Sequence, residues 1–209
     1  MITLLLALSL LDWPTTAATV SNKVPRLEMQ KGESKGVCSG AVFLLDDGYA
    51  YALTAAHCVS TSTGQRIDVT ANDRHAIAME LNNILDLAII RFRSHDEQVF
   101  VFAPVPPVVG AEVSVVGYAF GVDALVMQYG HVAQVYNKES KTVWLDVVTI
   151  FGDSGGAVVD SDGRLVAITS QIYTGGLFGQ SAHISAAVTL NAVKDFVSDF
   201  QDKLKKAKV

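Results

Sequence analysis

Short apolar segments follow one another through the middle of the chain, and turn-forming residues separate them. Two hairpins show this most clearly, with turns at 46–48 and 161–163 that each end in glycine. Glycine accepts the positive φ that a tight hairpin turn requires. The predicted strands of these hairpins are 42–45 and 49–53 in the first, and 157–159 and 165–168 in the second. The pattern predicts an all-β protein built from short antiparallel strands.

The final part of the chain changes from a strand-like to a helical pattern. Apolar residues recur there at steps of three and four positions, at Val193, Phe196, Val197, Phe200 and Leu204. The residues between them are mostly charged, and a helix of this kind buries its apolar side against a neighbour. We therefore expect a C-terminal helix that packs on the β body.

A proline-rich segment divides the chain into two β regions. Residues 104–107 hold three of the five prolines. Because proline cannot donate a hydrogen bond to a strand ladder, this segment is predicted to be an extended connector. It separates an N-terminal β domain, residues 19–103, from a C-terminal β domain, residues 108–209, that includes the terminal helix.

Residues 1–18 are predicted to be a signal peptide. The apolar run over residues 1–11 is shorter than the roughly 20 residues that cross a bilayer as a helix. Small residues at 16–18 suit a cleavage site, so we expect a secreted or periplasmic protein. Because no lysine or arginine precedes Lys23, the alternative is an apolar segment that packs on the folded domain.

Composition and charge exclude several classes of function. With 50% apolar and 18% charged residues among 209, the chain has the composition of a folded domain rather than a disordered one. Its net charge of -5 provides no attraction for DNA or RNA, so nucleic acid is not an expected partner. No stable membrane span is predicted, and the oligomeric state is not determined by the sequence.

The chain has two cysteines, Cys38 and Cys58. This number fits one disulfide, which would require an oxidising compartment. The alternative is a zinc site that includes His57, but the paired spacings of structural zinc motifs are missing. We therefore expect no metal site and no cofactor.

The most specific motif is Gly152-Asp153-Ser154-Gly155-Gly156. A serine hydroxyl is a weak nucleophile that needs a base to take its proton and donors to hold the oxyanion that forms. Glycines permit a tight turn that directs the backbone N–H groups of Gly152 and Ser154 toward one point. The motif therefore predicts a nucleophilic serine with its own oxyanion hole.

Two further residues are candidates for proton transfer. His57 lies in the string TAAHC at the end of a predicted strand, and histidine is the side chain best suited to act as a base near neutral pH. Asp86 is an acid within an apolar segment, and an acid buried there needs a partner. Such a carboxylate can orient an imidazole, although a strand-edge aspartate exposed to water would give the same pattern.

These strings together resemble the trypsin/chymotrypsin-like serine proteases, including compact bacterial and viral members. TAAHC, the Asp86-Leu87-Ala88 string and GDSGG occur in the order of that family. The resemblance implies two packed six-stranded antiparallel β-barrels with a C-terminal helix and an active site between the barrels. It also implies a catalytic triad of His57, Asp86 and Ser154, and a disulfide from Cys38 to Cys58.

The sequence departs from the family in two ways that affect function. Members of the family are often activated by a cleavage that creates a new N-terminus, whose amino group pairs with the residue corresponding to Asp153. No segment similar to that N-terminus occurs here, so we expect an enzyme that is competent without such a cleavage. By resemblance, the primary substrate pocket has Val148 at its floor, with walls near Ser170 and His183. Without an acid at the floor, small or medium apolar side chains are the expected substrates, and His183 offers a glutamate or glutamine preference as the alternative.

The predicted function is a serine endopeptidase that hydrolyses peptide bonds through an acyl-enzyme on Ser154. Its expected partner is a polypeptide substrate. A catalytically silent binding module with the same fold is the main alternative. An esterase of the α/β-hydrolase class is disfavoured, because no helical pattern follows the serine.

Overall fold

A computed structural model describes residues 13–135, 141–173 and 184–208 of the chain. Two sheets and two α-helices make up this part of the protein. The N-terminal strands are β1 (Arg26–Lys31), β2 (Ser34–Ser39), β3 (Ala41–Asp46), β4 (Tyr49–Ala55), β5 (Asp68–Ala71), β6 (Arg74–Asn82) and β7 (Leu87–Arg93). The C-terminal strands are β8 (Glu112–Gly117), β9 (Val126–Val135), β10 (Thr142–Leu145), β11 (Ala157–Val159), β12 (Leu165–Tyr173) and β13 (Ile184–Thr189). The helices are α1 (Trp13–Val20) and α2 (Leu190–Ala207).

The C-terminal strands form a closed six-stranded barrel in the order β10-β13-β12-β11-β8-β9. The N-terminal strands form a seven-stranded antiparallel sheet, a half-barrel, in the order β2-β1-β5-β6-β7-β4-β3. Its two edge strands, β2 and β3, are consecutive in the chain and are separated by Gly40 alone. A Cβ at Gly40 would lie 3.1 Å from the carbonyl oxygen of Leu53, so glycine suits the point where this run of chain bends. The bend explains why seven strands occur where six were expected.

The predicted all-β fold with a terminal helix is confirmed. Both predicted hairpins form, as β3–β4 and β11–β12. The break between the two sheets lies in the irregular stretch 94–111, which contains the predicted connector 104–107. The start of the connector contacts the terminal helix, since the Lys194 ammonium donates to the carbonyls of Ala103 at 2.7 Å and Pro104 at 3.5 Å.

Helix α2 packs against both sheets. Four of the five residues that the periodicity predicts are buried, and Leu204 is half-buried. Phe200 meets the rings of Phe43 and Tyr51 at centroid distances of 6.4 and 5.7 Å. Near its C-terminal end, Lys203 pairs with Glu80 at 3.0 Å and Lys208 pairs with Asp46, both in the N-terminal sheet. The helix therefore links the two halves and fixes the surfaces that face each other between them.

The predicted signal peptide lies mostly outside the described residues, because description begins at residue 13. Its last part belongs to α1, where the Thr16 hydroxyl donates to the carbonyl of Ser161 at 2.7 Å. Val20, at the end of α1, is fully buried. Neither helix in the described part of the chain combines the length and the apolar character that a membrane span requires.

Candidate active site

His57 and Asp86 lie side by side because β4 and β7 pair in antiparallel register. Ala55, the last residue of β4, is opposite Leu87, the first residue of β7. The chain beyond β4 and the chain before β7 therefore meet at the same end of the sheet, where the amide of Ala56 donates to the carbonyl of Asp86 at 3.1 Å. Sheet register alone thus brings together two residues that are 29 positions apart in sequence.

The carboxylate of Asp86 holds the His57 imidazole through its Nδ1 atom. The distances from Nδ1 to Oδ2 and Oδ1 of Asp86 are 2.8 and 3.1 Å, and the backbone amide of His57 donates to Oδ1 at 3.0 Å. With Nδ1 donating to a carboxylate, the imidazole carries its proton there and leaves Nε2 as the acceptor. The His57 side chain is 48% exposed and that of Asp86 13% exposed, so the base is open to solvent while the acid is mostly covered.

Asp86 has a second hydrogen-bond donor that the sequence did not suggest. The hydroxyl of Ser170, on β12 of the C-terminal barrel, donates to Oδ2 of Asp86 at 2.6 Å. Burial alone would raise the pKa of Asp86, but the hydrogen bonds from His57 and Ser170 lower the pKa below its ordinary value of 3.8. The carboxylate is therefore ionised at neutral pH and able to stabilise a protonated imidazole.

Ser154 lies on the turn between β10 and β11, in the C-terminal barrel. Its carbonyl accepts a hydrogen bond from the amide of Ser39, in the N-terminal sheet, at 2.9 Å. The next residue, Gly155, packs so closely on the strand leading to His57 that a Cβ would lie 2.2 Å from Oγ1 of Thr54. These contacts place the serine turn against the N-terminal sheet close to His57.

No hydrogen bond joins the Ser154 hydroxyl to the His57 imidazole in this part of the structure. Among the described residues, Oγ of Ser154 makes no hydrogen bond, to His57 or to another group. Ser154 is half-buried and its side chain can rotate about χ1. Hydrogen bonds between a nucleophile and its base are often long in the absence of substrate, so this geometry is compatible with proton transfer once substrate binds.

The turn from Phe151 to Ser154 has a donor for each of its four carbonyl groups. The carbonyl of Phe151 accepts from Phe120 N at 2.6 Å, and that of Gly152 accepts from Ser39 Oγ at 2.7 Å. The carbonyl of Asp153 accepts from Gly156 N and Thr169 Oγ1 at 2.8 Å each. The carbonyl of Ser154 accepts from Ser39 N at 2.9 Å. In a trans peptide the C=O and N–H groups point in opposite directions. The carbonyls of Phe151 and Asp153 therefore fix the directions of the amides of Gly152 and Ser154.

Those two amides remain available for a ligand. In the described residues, neither the Gly152 nor the Ser154 amide donates a hydrogen bond. Gly152 has φ +101 and a Cβ there would lie 2.0 Å from the carbonyl oxygen of Tyr118, so only glycine fits. The turn is thus built to present two unpaired N–H donors beside the serine hydroxyl, which is the arrangement that an oxyanion requires.

The carboxylate of Asp153 is buried at the serine turn and has a hydrogen-bond partner for only one of its two oxygens in the described part of the chain. The residue is 1% exposed, and its Oδ2 accepts a hydrogen bond from the amide of Ile150 at 2.9 Å. Oδ1 is buried and has no hydrogen-bond partner among the described residues. Burial raises the pKa of Asp153 to about 6 against the lowering effect of the Ile150 hydrogen bond.

Cys38 and Cys58 form a disulfide, with their Cα atoms 6.2 Å apart. Both sulfurs lie within 4.8 Å of a ring nitrogen of His57, and among the described residues this is the only group of three potential metal ligands. Because the bond ties up both thiols, this grouping is not a zinc site. The disulfide instead fixes β2 to the short turn that carries His57.

The sequence matches the model of the trypsin-like peptidase domain over residues 38–168, which is more than half of the chain. The chain belongs to the trypsin-like peptidase family. Residues 38–168 include the disulfide, His57, Asp86 and Ser154, and the family prediction is therefore confirmed.

Curated relatives of this peptidase are much longer than the chain. Protease Do-like 2 of Arabidopsis thaliana is 24% identical over 178 residues, which cover 78% of this chain and 28% of the relative. The serine protease HtrA-like of Staphylococcus aureus is 25% identical over 210 residues, covering 90% of this chain and 27% of the relative. The chain thus spans about a quarter of the length of these relatives.

Solved structures share the fold of this peptidase. The active form of the Rv3671c protease of M. tuberculosis superposes with a TM-score of 0.70 at 20% identity, covering 86% of this chain and 81% of that one. The serine endoprotease of Yersinia pestis superposes with a TM-score of 0.73 at 18% identity, covering 90% of this chain and 66% of that one. These proteins therefore share the overall fold of the chain over most of its length.

The predicted substrate pocket is described only in part. Val148 is 49% exposed on the segment before the serine turn. Ser170 is on β12, with its hydroxyl directed at Asp86. His183 lies outside the described residues. Its contribution to the pocket stays a prediction.

Proposed function

We propose that this peptidase is a serine endopeptidase in which His57, Asp86 and Ser154 form the catalytic triad. His57 takes the proton of the Ser154 hydroxyl through Nε2 as Oγ attacks the carbonyl carbon of the scissile bond. Asp86 keeps the proton on Nδ1 and stabilises the imidazolium that forms. His57 then returns the proton to the leaving amine, and water releases the acyl group from Ser154.

The single observation that carries this proposal is the presence of a paired acid and base next to a serine turn with two free amides. The Asp86 carboxylate is bound to Nδ1 of His57 at 2.8 Å, which leaves the other ring nitrogen for the serine. The amides of Gly152 and Ser154 would hold the tetrahedral oxyanion, a contribution worth several kcal/mol in enzymes of this kind. All parts of an acyl-transfer site are therefore supplied by one chain.

The substrate is a polypeptide, and the side chain that enters the primary pocket is small or medium-sized and apolar. Val148, the residue assigned to the pocket floor, offers no charge to pair with a buried lysine or arginine. A glutamate or glutamine preference through His183 is the alternative. Cleavage of a diverse peptide mixture, read by mass spectrometry, would distinguish the two preferences.

The disulfide supports an extracytoplasmic location for the folded domain, because such bonds persist in oxidising compartments. Secretion or residence in a periplasm, with removal of residues 1–18, is the specific form we propose. N-terminal sequencing of the protein recovered from an expressing cell would test this step, and an intact N-terminus would contradict it.

The test of the catalytic role is Ser154→Ala, compared with the exposed Ser198→Ala on α2 as a control. We expect a fluorophosphonate probe to label the wild type once, at Ser154, and to leave Ser154→Ala unlabelled. Peptide hydrolysis by Ser154→Ala should fall by about 10⁶-fold, as for nucleophile removal in other serine proteases. Undiminished hydrolysis by this variant would contradict the proposal.

A further inference from the structure

Ser39 makes two hydrogen bonds to the serine turn, and no motif in the sequence predicted them. It is the last residue of β2, next to Cys38, and it is fully buried. Its hydroxyl donates to the carbonyl of Gly152 at 2.7 Å, and its amide donates to the carbonyl of Ser154 at 2.9 Å. One residue of the N-terminal sheet therefore holds two of the four carbonyls in the turn that carries the oxyanion hole.

The same hydroxyl also holds a second segment, residues 118–121, which we call the strap. The amide of Tyr118 donates to Oγ of Ser39 at 2.8 Å. Two residues further on, the amide of Phe120 donates to the carbonyl of Phe151 at 2.6 Å. Phe120 has φ +59, an unfavourable conformation for a bulky residue, and its side chain is 77% exposed. Phe120 is therefore held by the hydrogen bond of its amide rather than by packing of its side chain.

These contacts connect Ser39 to the direction of the Gly152 amide. The Phe151–Gly152 peptide is planar, so the bond from Phe120 to the Phe151 carbonyl also sets where the Gly152 N–H points. The orientation of the next peptide, Gly152–Asp153, is fixed by the hydrogen bond from the Ser39 hydroxyl to the Gly152 carbonyl. Without that hydroxyl, a partly buried amide at Tyr118 and a buried carbonyl at Gly152 each lose a partner, which favours rearrangement of both segments.

We propose that the Ser39 hydroxyl is a positioning group that holds the Gly152 amide in the oxyanion-stabilising direction. It does not touch substrate, and it acts from the N-terminal sheet on a turn of the C-terminal barrel. The inference rests on the proposed function, since it assumes that the Gly152 amide binds the oxyanion. Ser39 thus contributes to stabilisation of the transition state, through the Gly152 amide, rather than to substrate binding.

The test compares Ser39→Ala with Ser114→Ala in the full chain. Ser114 is also fully buried, and its hydroxyl donates to the carbonyl of Gln128 at 3.2 Å within the C-terminal barrel. We expect Ser39→Ala to lower kcat by about 10- to 100-fold, less than the loss on removing an oxyanion donor outright. KM should stay near the wild-type value. Ser114→Ala should leave both parameters near wild type.

A second readout isolates the tetrahedral state. A peptide boronate forms a tetrahedral adduct with Ser154, whereas a product peptide binds without one. Ser39→Ala should weaken boronate binding by the same factor as kcat and leave product-peptide binding unchanged. All rates are expressed per active site titrated with the fluorophosphonate probe, so that unfolded protein does not count.

Ser39→Thr provides the variant that keeps a hydroxyl, and it should retain most of the activity that Ser39→Ala loses. Equal losses in the two variants, or wild-type kcat and boronate affinity in Ser39→Ala, would overturn the inference. A wild type inert to both boronate and fluorophosphonate would contradict the proposed function and the inference together. An active wild type with an unaffected Ser39→Ala would contradict the inference alone.

Discussion

The two halves of the candidate active site are held in place by different kinds of interaction. In the N-terminal half, side-chain hydrogen bonds fix the acid and the base: Asp86 binds His57, and Ser170 reaches across from the C-terminal barrel to the same carboxylate. In the C-terminal half, hydrogen bonds to backbone carbonyls fix the turn around Ser154, and glycines allow the close approach. Side-chain groups therefore position the acid and the base, whereas the path of the main chain positions the turn around Ser154.

This difference predicts different responses to substitution. Exchanging a functional group in the acid–base half changes chemistry and leaves the backbone in place. Adding one methyl group at Gly155 of the serine turn produces a collision with main-chain atoms of the N-terminal sheet, which changes the fold locally. The following substitutions test this contrast, from the largest expected effect to the smallest.

Asp86→Asn should lower kcat by about 10³- to 10⁴-fold with little loss of stability, because a neutral amide no longer fixes the imidazole tautomer. Asp86 has φ +54, a conformation that asparagine adopts as readily as aspartate, so the backbone is preserved. Steady-state kinetics and thermal unfolding measured on the same preparation would check both parts of this expectation.

A second histidine–aspartate pair provides the matched control for that experiment. Nδ1 of His131 lies 3.3 Å from Oδ2 of Asp146 in the C-terminal barrel, and both side chains are about half exposed. Asp146→Asn should leave kcat within about twofold of the wild type, since an exposed pair of this kind contributes little. A comparable loss in both variants would show that Asp86 has no special role.

Gly155→Ala should destabilise the folded protein by more than about 3 kcal/mol, since it combines a strained backbone with a severe clash. A Cβ at Gly155, where φ is +78, would lie 2.2 Å from Oγ1 of Thr54 and 2.6 Å from the amide nitrogen of Ala55. Gly64 is the control, with φ +80 and open space around its Cβ position. Gly64→Ala should cost only about 1 kcal/mol from backbone strain. Equal midpoints of urea unfolding for the two variants would contradict the packing argument.

Asp153→Asn should stabilise the protein at neutral pH and have little effect in acid. The folded-state pKa of Asp153 is raised from 3.8 to about 6, so the folded state favours the protonated carboxyl. The stability that this provides is present below pH 4 and is lost as the pH rises toward 6. The neutral asparagine avoids the loss, which gives an expected increase of about 1–3 kcal/mol in the free energy of unfolding, or roughly 2–12 °C in Tm, at pH 7.5.

Thermal unfolding of wild type and Asp153→Asn between pH 4 and 8 would test the sign of this effect. The difference in Tm should grow through the interval from pH 4 to 6 and then become constant. Asp199→Asn, at an exposed position on α2, should show no such growth. A difference that shrinks with rising pH would mean that the Asp153 carboxylate is stabilised rather than penalised by its surroundings.

Local sequence patterns predicted those parts of the protein that depend on nearby residues. The apolar period of α2 identified the buried Val193, Phe196, Val197 and Phe200, because a helix face is set by residues three and four apart. The hairpins were predicted for the same reason, from their glycine turns. The bend at Gly40 was missed, since it depends on contact with Leu53, which belongs to another strand.

Sequence motifs also identified His57, Asp86 and Ser154 as candidates, but they gave no indication of what surrounds them. Ser170 was assigned to the pocket wall, and no motif indicated that its hydroxyl contacts Asp86, 84 positions away in sequence. Ser39 had no distinguishing signal at all, although its hydroxyl reaches Gly152 across 113 positions. No local pattern encodes such pairs, because sheet register and the packing of the two halves create them.

By itself, the amino-acid order determined which chemical groups this protein carries, which segments form strands, and where its terminal helix begins to bury an apolar face. The tertiary structure alone decided which hydroxyl supports the acid, which one supports the oxyanion turn, and which amides remain free. The reason is physical: propensity and periodicity act over a few residues, whereas hydrogen bonds of the site join atoms whose separation is fixed only when two sheets pack together.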